Sequence, residues 1–348
     1  MRIVDLRSDT VTKPSPEMWE ILKSLDNSKI GDDVFREDPT VNELEERAAK
    51  TVEKEASLFV TSGTQGNLVS ILSQTRPGDE IMVEELSHVY GHEVGSVARI
   101  GGLMVRTYPS SRGVPSLETL QDMVRDRNDI HEPPTTLLCS ENTHNFHGGV
   151  IIKPEDLRDL KLFAEKNDLK FHLDGARIFN AAVGLNKHVK EFSQHVDSIM
   201  FCLSKGLSCP VGSMVAGSRE FVDKARKYRK MLGGGMRQAG IIASMGLIAL
   251  EPKWIKRLAE DHENARLLSE GIESCNVPVT VPKPETNILL VSFPRNAPMD
   301  KIIDELNKEG VQALSFKNII RYVTHYGITE DDVQYSVEKI DKVLKKLL

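Results

Sequence analysis

Short aliphatic or β-branched runs alternate with longer amphipathic stretches through the first 250 residues or so, and this alternation narrows the possible folds more than any other feature. The runs Ser57–Val60, Glu80–Glu84, Leu103–Tyr108, Thr136–Ser140, Lys170–Leu173, Ser198–Leu203 and Gly212–Ala216 have the length of buried strands. Between them the pattern is helical. Pro39-Thr40-Val41-Asn42-Glu43 reads as a capping-box start, followed by Leu44, Ala48 and Val52 on one face. Leu117–Val124 and Pro154–Lys166 read the same way, the second with its proline in the first turn. Strands alternating with helices make βαβ units. The expected class is therefore α/β, with a mostly parallel sheet of seven strands covered on both faces.

Beyond about residue 250 the texture changes. A long charged helix over Trp254–Cys275 leads into a proline-rich joint, Val277 to Pro284. A strand at Asn287–Phe293, a helix at Met299–Glu309, a strand at Ile319–Thr324 and a helix at Glu330–Leu347 follow. The expected organisation is a large domain over 1–250 and a small C-terminal α/β domain over 251–348. The N-terminal segment would pack with the small domain or with a partner subunit.

Charge and cysteine content exclude several function classes. Lys+Arg number 45 against 51 Asp+Glu, a formal net charge of −6, so no basic excess invites nucleic acid. The most apolar run, Ile241–Leu250, falls short of the roughly 18–20 residues a membrane span requires. The N-terminal stretch alternates charged and aliphatic residues and matches neither a signal peptide nor a transit helix. Cys139, Cys202, Cys209 and Cys275 form no CxxC pair and read as reduced thiols. Together these lead us to expect a soluble cytoplasmic protein acting on a small molecule.

Four constellations carry chemistry. Thr61-Ser62-Gly63-Thr64-Gln65-Gly66-Asn67 lies between a strand and a helix at Leu68–Gln74. Its small residues, hydroxyls and free N–H groups suit a phosphate, although an ordinary glycine-containing turn has the same composition. It is neither a Walker loop nor GxGxxG. His172-Leu173-Asp174-Gly175-Ala176-Arg177 closes a strand, at the sheet edge where ligands sit in open α/β folds. Asp174 there can face a pyridinium nitrogen, or it can simply cap the next helix. Lys205 follows a buried strand among small residues, Ser204, Gly206 and Ser208, which favours a functional amine over a solvated lysine. Lys227–Gln238 sets Lys227, Arg229, Lys230 and Arg237 around Gly233-Gly234-Gly235, either an anion clamp or a solvated helix end. A phosphate cradle, a strand-end Asp and a later buried Lys occur in the order expected of a pyridoxal-phosphate enzyme.

The chain resembles the L-threonine/L-allo-threonine aldolases of low specificity, pyridoxal-phosphate enzymes of the aspartate-aminotransferase fold (fold type I). The resemblance runs over nearly the whole length. It is carried by Asp5-Leu6-Arg7-Ser8-Asp9-Thr10-Val11-Thr12, Gly31-Asp32-Asp33-Val34, Ser62-Gly63-Thr64 and Glu141-Asn142-Thr143-His144-Asn145. It continues through Asp174-Gly175-Ala176-Arg177, Leu203-Ser204-Lys205-Gly206, Gly233 to Gln238, and Arg321-Tyr322-Val323-Thr324-His325. It implies retro-aldol cleavage of L-threonine or L-allo-threonine to glycine and acetaldehyde, through an external aldimine and a quinonoid.

By matching position, Lys205 would form the Schiff base, Asp174 would meet the pyridine nitrogen, and His88 would stack on the ring and serve as base. Gly63 and Thr64 would hold the phosphate, with Lys230 and Arg237 contributed by a neighbouring subunit. Ser8, Arg177 and Arg321 would bind the substrate carboxylate, Arg177 lying against the cofactor too, and His131 would contact the substrate hydroxyl. The resemblance also implies a dimer with shared sites, paired into a tetramer. One departure stands out, because Phe35-Arg36 replaces the family's Tyr-Gly after Gly-Asp-Asp-Val. His92 and the segment Asn145-Phe146-His147 depart as well.

The rivals are β-elimination or transamination on the same fold, and, from another class, metallohydrolysis. His88 and His92, or His144 and His147, have a metal-like spacing, but no HExxH glutamate and no third ligand is evident. No metal is expected.

Overall fold

The computed structural model describes residues 2–348. Its strands, in chain order, are β1 (Val4–Asp5), β2 (Ala56–Val60), β3 (Glu80–Glu84), β4 (Met104–Tyr108), β5 (Thr135–Glu141) and β6 (Lys170–Asp174). They continue with β7 (Ser198–Cys202), β8 (Ser213–Gly217), β9 (Ile288–Ser292), β10 (Val311–Gln312), β11 (Leu314–Phe316) and β12 (Ile319–Val323). Seven of them form one sheet in the order β2-β8-β7-β6-β5-β3-β4. The pairings from β7 to β4 are parallel, and β8 alone runs against its neighbours β7 and β2. Every residue of β3, β7 and β8 is buried, which explains why these strands read as continuous apolar runs rather than alternating ones. The carboxyl ends of β2, β3, β5, β6 and β7 therefore share one edge.

The predicted runs match these strands to within one or two residues, and helix boundaries differ for local reasons. Asp38, not Thr40, caps the helix Pro39–Thr51; its carboxylate accepts from Thr40 N and Val41 N, while Thr40 Oγ1 donates to Lys29 O. The helix expected from Leu68 begins at Gly63, because Ser62 Oγ accepts from Gln65 N and so caps it. The long charged helix comes in two pieces, Pro252–Lys256 and Leu258–Glu273. Helices Pro16–Lys23, Arg219–Met231 and Gly240–Ala249 add to the reading. The last lacks a polar face because it is buried almost throughout, so its sequence carries no 3.6-residue rhythm.

A second, antiparallel sheet has the order β11-β12-β9, and β1 pairs in parallel with β10. Two large apolar cores result. Phe171, Leu173, Ile199, Phe201 and Leu258 belong to the first. Leu268, Ile272, Leu289, Val291, Ile320 and Ile340 belong to the second, and Val4 and Leu6 join them there. Helix Leu258–Glu273 thus has its first turn in one core and its later turns in the other. Val323 N donates to Leu6 O at 2.8 Å and His325 Nε2 meets Asp5 O at 2.9 Å, so the N-terminal segment is clamped to the end of β12. Among the described residues no helix is long and apolar enough to cross a membrane, and all four cysteines are free and buried.

Candidate active site

Ser8, His88, Asp174, Arg177, Lys205 and Arg321 line one cleft of about 220 Å³ at the carboxyl edge of the large sheet. Asp174 ends β6 and Lys205 lies three residues beyond β7. The Lys205 turn is fixed from outside: Ser208 N donates back to Lys205 O at 2.8 Å, Trp254 Nε1 to Leu207 O at 2.9 Å, and Arg257 Nη2 to Gly206 O at 3.2 Å. Such ties place the amine without engaging it. Asp174 is not a helix cap, since the following helix starts at Ile178 with Arg177 in the cap position. Its Oδ1 accepts from Ala176 N at 3.0 Å and its Oδ2 from Asn67 Nδ2 at 2.8 Å.

A directed hydrogen-bond chain stands behind that carboxylate. Gln74 Nε2 donates to Ser198 Oγ at 2.8 Å, leaving the serine proton for His172 Nδ1 at 2.8 Å. His172 Nε2–H then faces Asn67 Oδ1 at 3.2 Å, which turns the Asn67 amide nitrogen toward both Asp174 and Glu93. His172 is fully buried, and burial lowers it to about 4, so it stays neutral and keeps this tautomer. Glu93 Oε1 in turn lies 2.9 Å from His88 Nδ1. That bond raises His88 against the opposing effect of its burial. With Nδ1 and the backbone N–H (to Glu141 Oε2, 2.7 Å) both engaged, Nε2 is the free nitrogen of His88.

Arg177 departs from the expected geometry. Its Nε and Nη2 close a fork on Asp9 Oδ2 and Oδ1, both at 2.7 Å, with both side chains buried. Burial would push Asp9 up, but the guanidinium outweighs it and holds the carboxyl well below its ordinary value. The bidentate edge of Arg177 is thus taken, leaving Nη1 for a ligand. Arg321 donates to Asn145 Oδ1 at 3.0 Å and Arg7 O at 3.2 Å, while its buried Nε has no partner. Burial and the nearby Arg177 charge lower it to about 10. Ser8 Oγ accepts from Thr10 N and Thr10 Oγ1, so its own proton is left to donate. An unpaired guanidinium N–H and a free hydroxyl make a site for a small carboxylate.

Gly63 and Thr64 stand at the first turn of helix Gly63–Leu72, whose Asn67 reaches Asp174. This helix lies hard against β7: a Cβ added at Gly66 would come within 2.6 Å of Met200 Cγ. That approach leaves the helix N-terminus, with its unpaired N–H groups, beside the Lys205 strand. The donor set fits pyridoxal phosphate: an amine, a carboxylate for the ring nitrogen, and N–H groups at a helix N-terminus.

Lys230 and Arg237 are not brought to the cleft. Arg237 pairs with Asp32 at 2.8 Å and is 60 % exposed, and Lys230 is exposed beside Gly235. His131 is not brought there either. It is exposed in the loop before β5, whereas the cleft lies beyond Glu141 at the other end of that seven-residue strand, roughly 20 Å away. It cannot touch a substrate held in its own chain.

Other cleft residues carried no assigned role in the sequence. Glu141 and Asn145 fell inside a motif, as did Asn67, which stands behind Asp174 rather than in the cleft, whereas Glu93, behind His88, and Phe316 belong to no motif. Phe146 stacks on His92 (centroids 4.5 Å, 14° apart) and meets Phe316 edge-on at 5.7 Å, forming an aromatic wall.

Comparison with known proteins identifies the family. The sequence profile of the beta-eliminating lyases matches residues 5–294. A probable low-specificity L-threonine aldolase 2 of Arabidopsis thaliana is 39 % identical over 352 residues, covering 99 % of this chain and 98 % of that one. A low specificity L-threonine aldolase of Escherichia coli O157:H7 is 39 % identical over 333 residues, covering 95 % and 96 %. In fold, the threonine aldolase of Leishmania major superposes with a TM-score of 0.84 at 18 % identity, over 98 % of this chain and 99 % of that one. The chain belongs to the beta-eliminating lyase family, in its threonine aldolase branch.

Proposed function

We propose that this protein cleaves L-threonine and L-allo-threonine to glycine and acetaldehyde with pyridoxal phosphate as cofactor. The observation that carries the reading is the meeting of Lys205, Asp174, His88 and Arg321 in one cleft. Bound there, the cofactor supplies the electron sink for the bond that breaks at Cα. Lys205 provides the amine for the Schiff base, and Asp174, oriented through Asn67 and His172, meets the ring nitrogen. With the cofactor bound, Arg321, Ser8 and the remaining N–H of Arg177 would hold the substrate carboxylate and so restrict rotation about the substrate's N–Cα bond. His88, with Nδ1 held by Glu93, presents Nε2 to take the β-hydroxyl proton, directly or through a water.

Gly63 and Thr64 take the phosphate, and Lys230 and Arg237 reach it from a second copy of the chain. That copy makes the functional unit a dimer, and dimers pair into tetramers. Residues 1–250 act as the cofactor-binding domain and 251–348 as the small domain, and the cytoplasm is the expected compartment. The test is aldehyde release from L-threonine, L-allo-threonine and their D-enantiomers with pyridoxal phosphate present. Release from the L forms alone, abolished in Lys205→Ala, supports the proposal. Pyruvate or pyridoxamine phosphate without aldehyde would replace it with elimination or transamination.

A further inference from the structure

We propose that Glu84, His144 and His147, with the hydroxyl of Ser110, bind one divalent transition-metal ion of the zinc type beside the active-site cleft. The four residues arrive from separate segments at the same sheet edge. Glu84 ends β3, Ser110 follows β4, and the two histidines lie in the loop after β5. Their separations have the spacing a coordination sphere imposes. His144 Nε2 is 3.0 Å from Glu84 Oε2, His147 Nε2 is 3.2 Å from Glu84 Oε1, and Ser110 Oγ is 2.8 Å from Glu84 Oε1 and 3.3 Å from His147 Nε2. An ion with bonds of about 2.0–2.1 Å sets neighbouring ligand atoms roughly 2.9 Å apart in an octahedron and 3.3 Å apart in a tetrahedron. Two imidazole nitrogens with a carboxylate and a hydroxyl suit Zn²⁺, Co²⁺ or Ni²⁺, whereas Ca²⁺ and Mg²⁺ call for oxygen ligands throughout.

The pocket is built rather than incidental. The side chains of Glu84 and His144 are 1 % and 0 % exposed and that of His147 is 20 %, so the ion enters past His147. The turn from Ser111 to Val114 closes over the other side. Gly113 N donates to Ser110 Oγ at 3.0 Å, and a Cβ at Gly113 would lie 2.9 Å from His144 Cδ2, so the turn rests directly on the imidazole. A carboxylate buried this deeply must be neutralised. A divalent ion does so while leaving both imidazoles neutral, the form in which they ligate.

Hydrogen bonds alone give similar distances, so the test asks for the ion itself. The holoenzyme is treated with chelator, titrated with Co²⁺ and read by visible d–d absorption and by metal content after gel filtration. One Co²⁺ per chain, displaced by Zn²⁺, is expected. In His147→Gln, whose partly exposed site spares the core, affinity should fall on the order of 100-fold with the melting temperature of the metal-free protein unchanged. Glu84→Gln should lose the d–d bands entirely. Absence of d–d bands with less than one tenth of an ion per folded chain would overturn the proposal, as would full binding in both variants. Neither readout requires aldolase activity, so failure of the proposed reaction would leave this result standing.

Discussion

Arg177 and Arg237 are assigned to the same small ligand, yet the side chain of one is 5 % exposed and that of the other 60 %. Arg177 is locked to Asp9 inside the chain, and Asp174 is held by a relay that runs back to Gln74. Arg237 has only Asp32 at the surface, and Lys230 beside it points to no anion of its own chain. The floor of the site is finished by folding, and under the proposed function Arg237 and Lys230 would complete its phosphate side only on association. The difference teaches that the two halves should fail in different ways: the floor through stability, the rim through affinity and assembly.

The hardest blow to this division is Asp9→Ala. It strands the buried Arg177 charge, and the expected loss is about 3–5 kcal/mol in denaturant unfolding of the apoprotein. A loss below 1 kcal/mol would mean that the floor is not self-contained. Next comes acid. His172 is fully buried with its pKa lowered to about 4, so between pH 6.5 and 4 the unfolded chain takes a proton that the folded chain refuses. Stability should therefore fall as pH drops through that window, by about 3 kcal/mol from this residue, whose own contribution levels off below it while protonation of Asp9 takes over the loss. His172→Asn should remove this residue's share of the slope and leave that of His262, which burial also lowers to about 4.

Arg237→Ala sharpens the comparison from the other side. Unfolding of the apoprotein should change by no more than about 0.5 kcal/mol, because an exposed ion pair contributes little. Cofactor retention after gel filtration should nevertheless drop, and sedimentation should show dissociation at higher protein concentration than in the parent. Equal cofactor retention would remove the rim assignment. The smallest effect lies at Arg36, a non-glycine residue at φ 61° where the family has glycine, with an exposed ion pair to Asp223. Arg36→Gly should be neutral to stabilising by about 0.5 kcal/mol in thermal unfolding, relief of the left-handed backbone outweighing the added freedom of glycine.

What could be read in advance follows the same line. The central strands were legible because they are buried on both faces and so are written as unbroken apolar runs, as in Ser198–Cys202. Lys205 and Asp174 were legible because a strand end followed by small residues is a local pattern. The distance of His131 from its own chain's cleft was not legible, because position in a motif says nothing of which end of β5 a loop occupies. The Asp9–Arg177 lock, and Glu84 as the third member beside the His144–His147 pair, were invisible for a different reason: their partners lie 168, 60 and 63 residues apart, and only the sheet order joins them.

The pairing of β1 with β10 has a consequence in time. Val4 leaves the ribosome about three hundred residues before Val311, its partner. At 5–20 residues per second, that is a wait of roughly 15–60 s. Ser8 and Asp9 hang from that strand, so throughout synthesis the large sheet can close while Arg177 still lacks its counter-charge. By that order of emergence a nascent chain would carry a finished scaffold over an open, cationic floor until β10 follows.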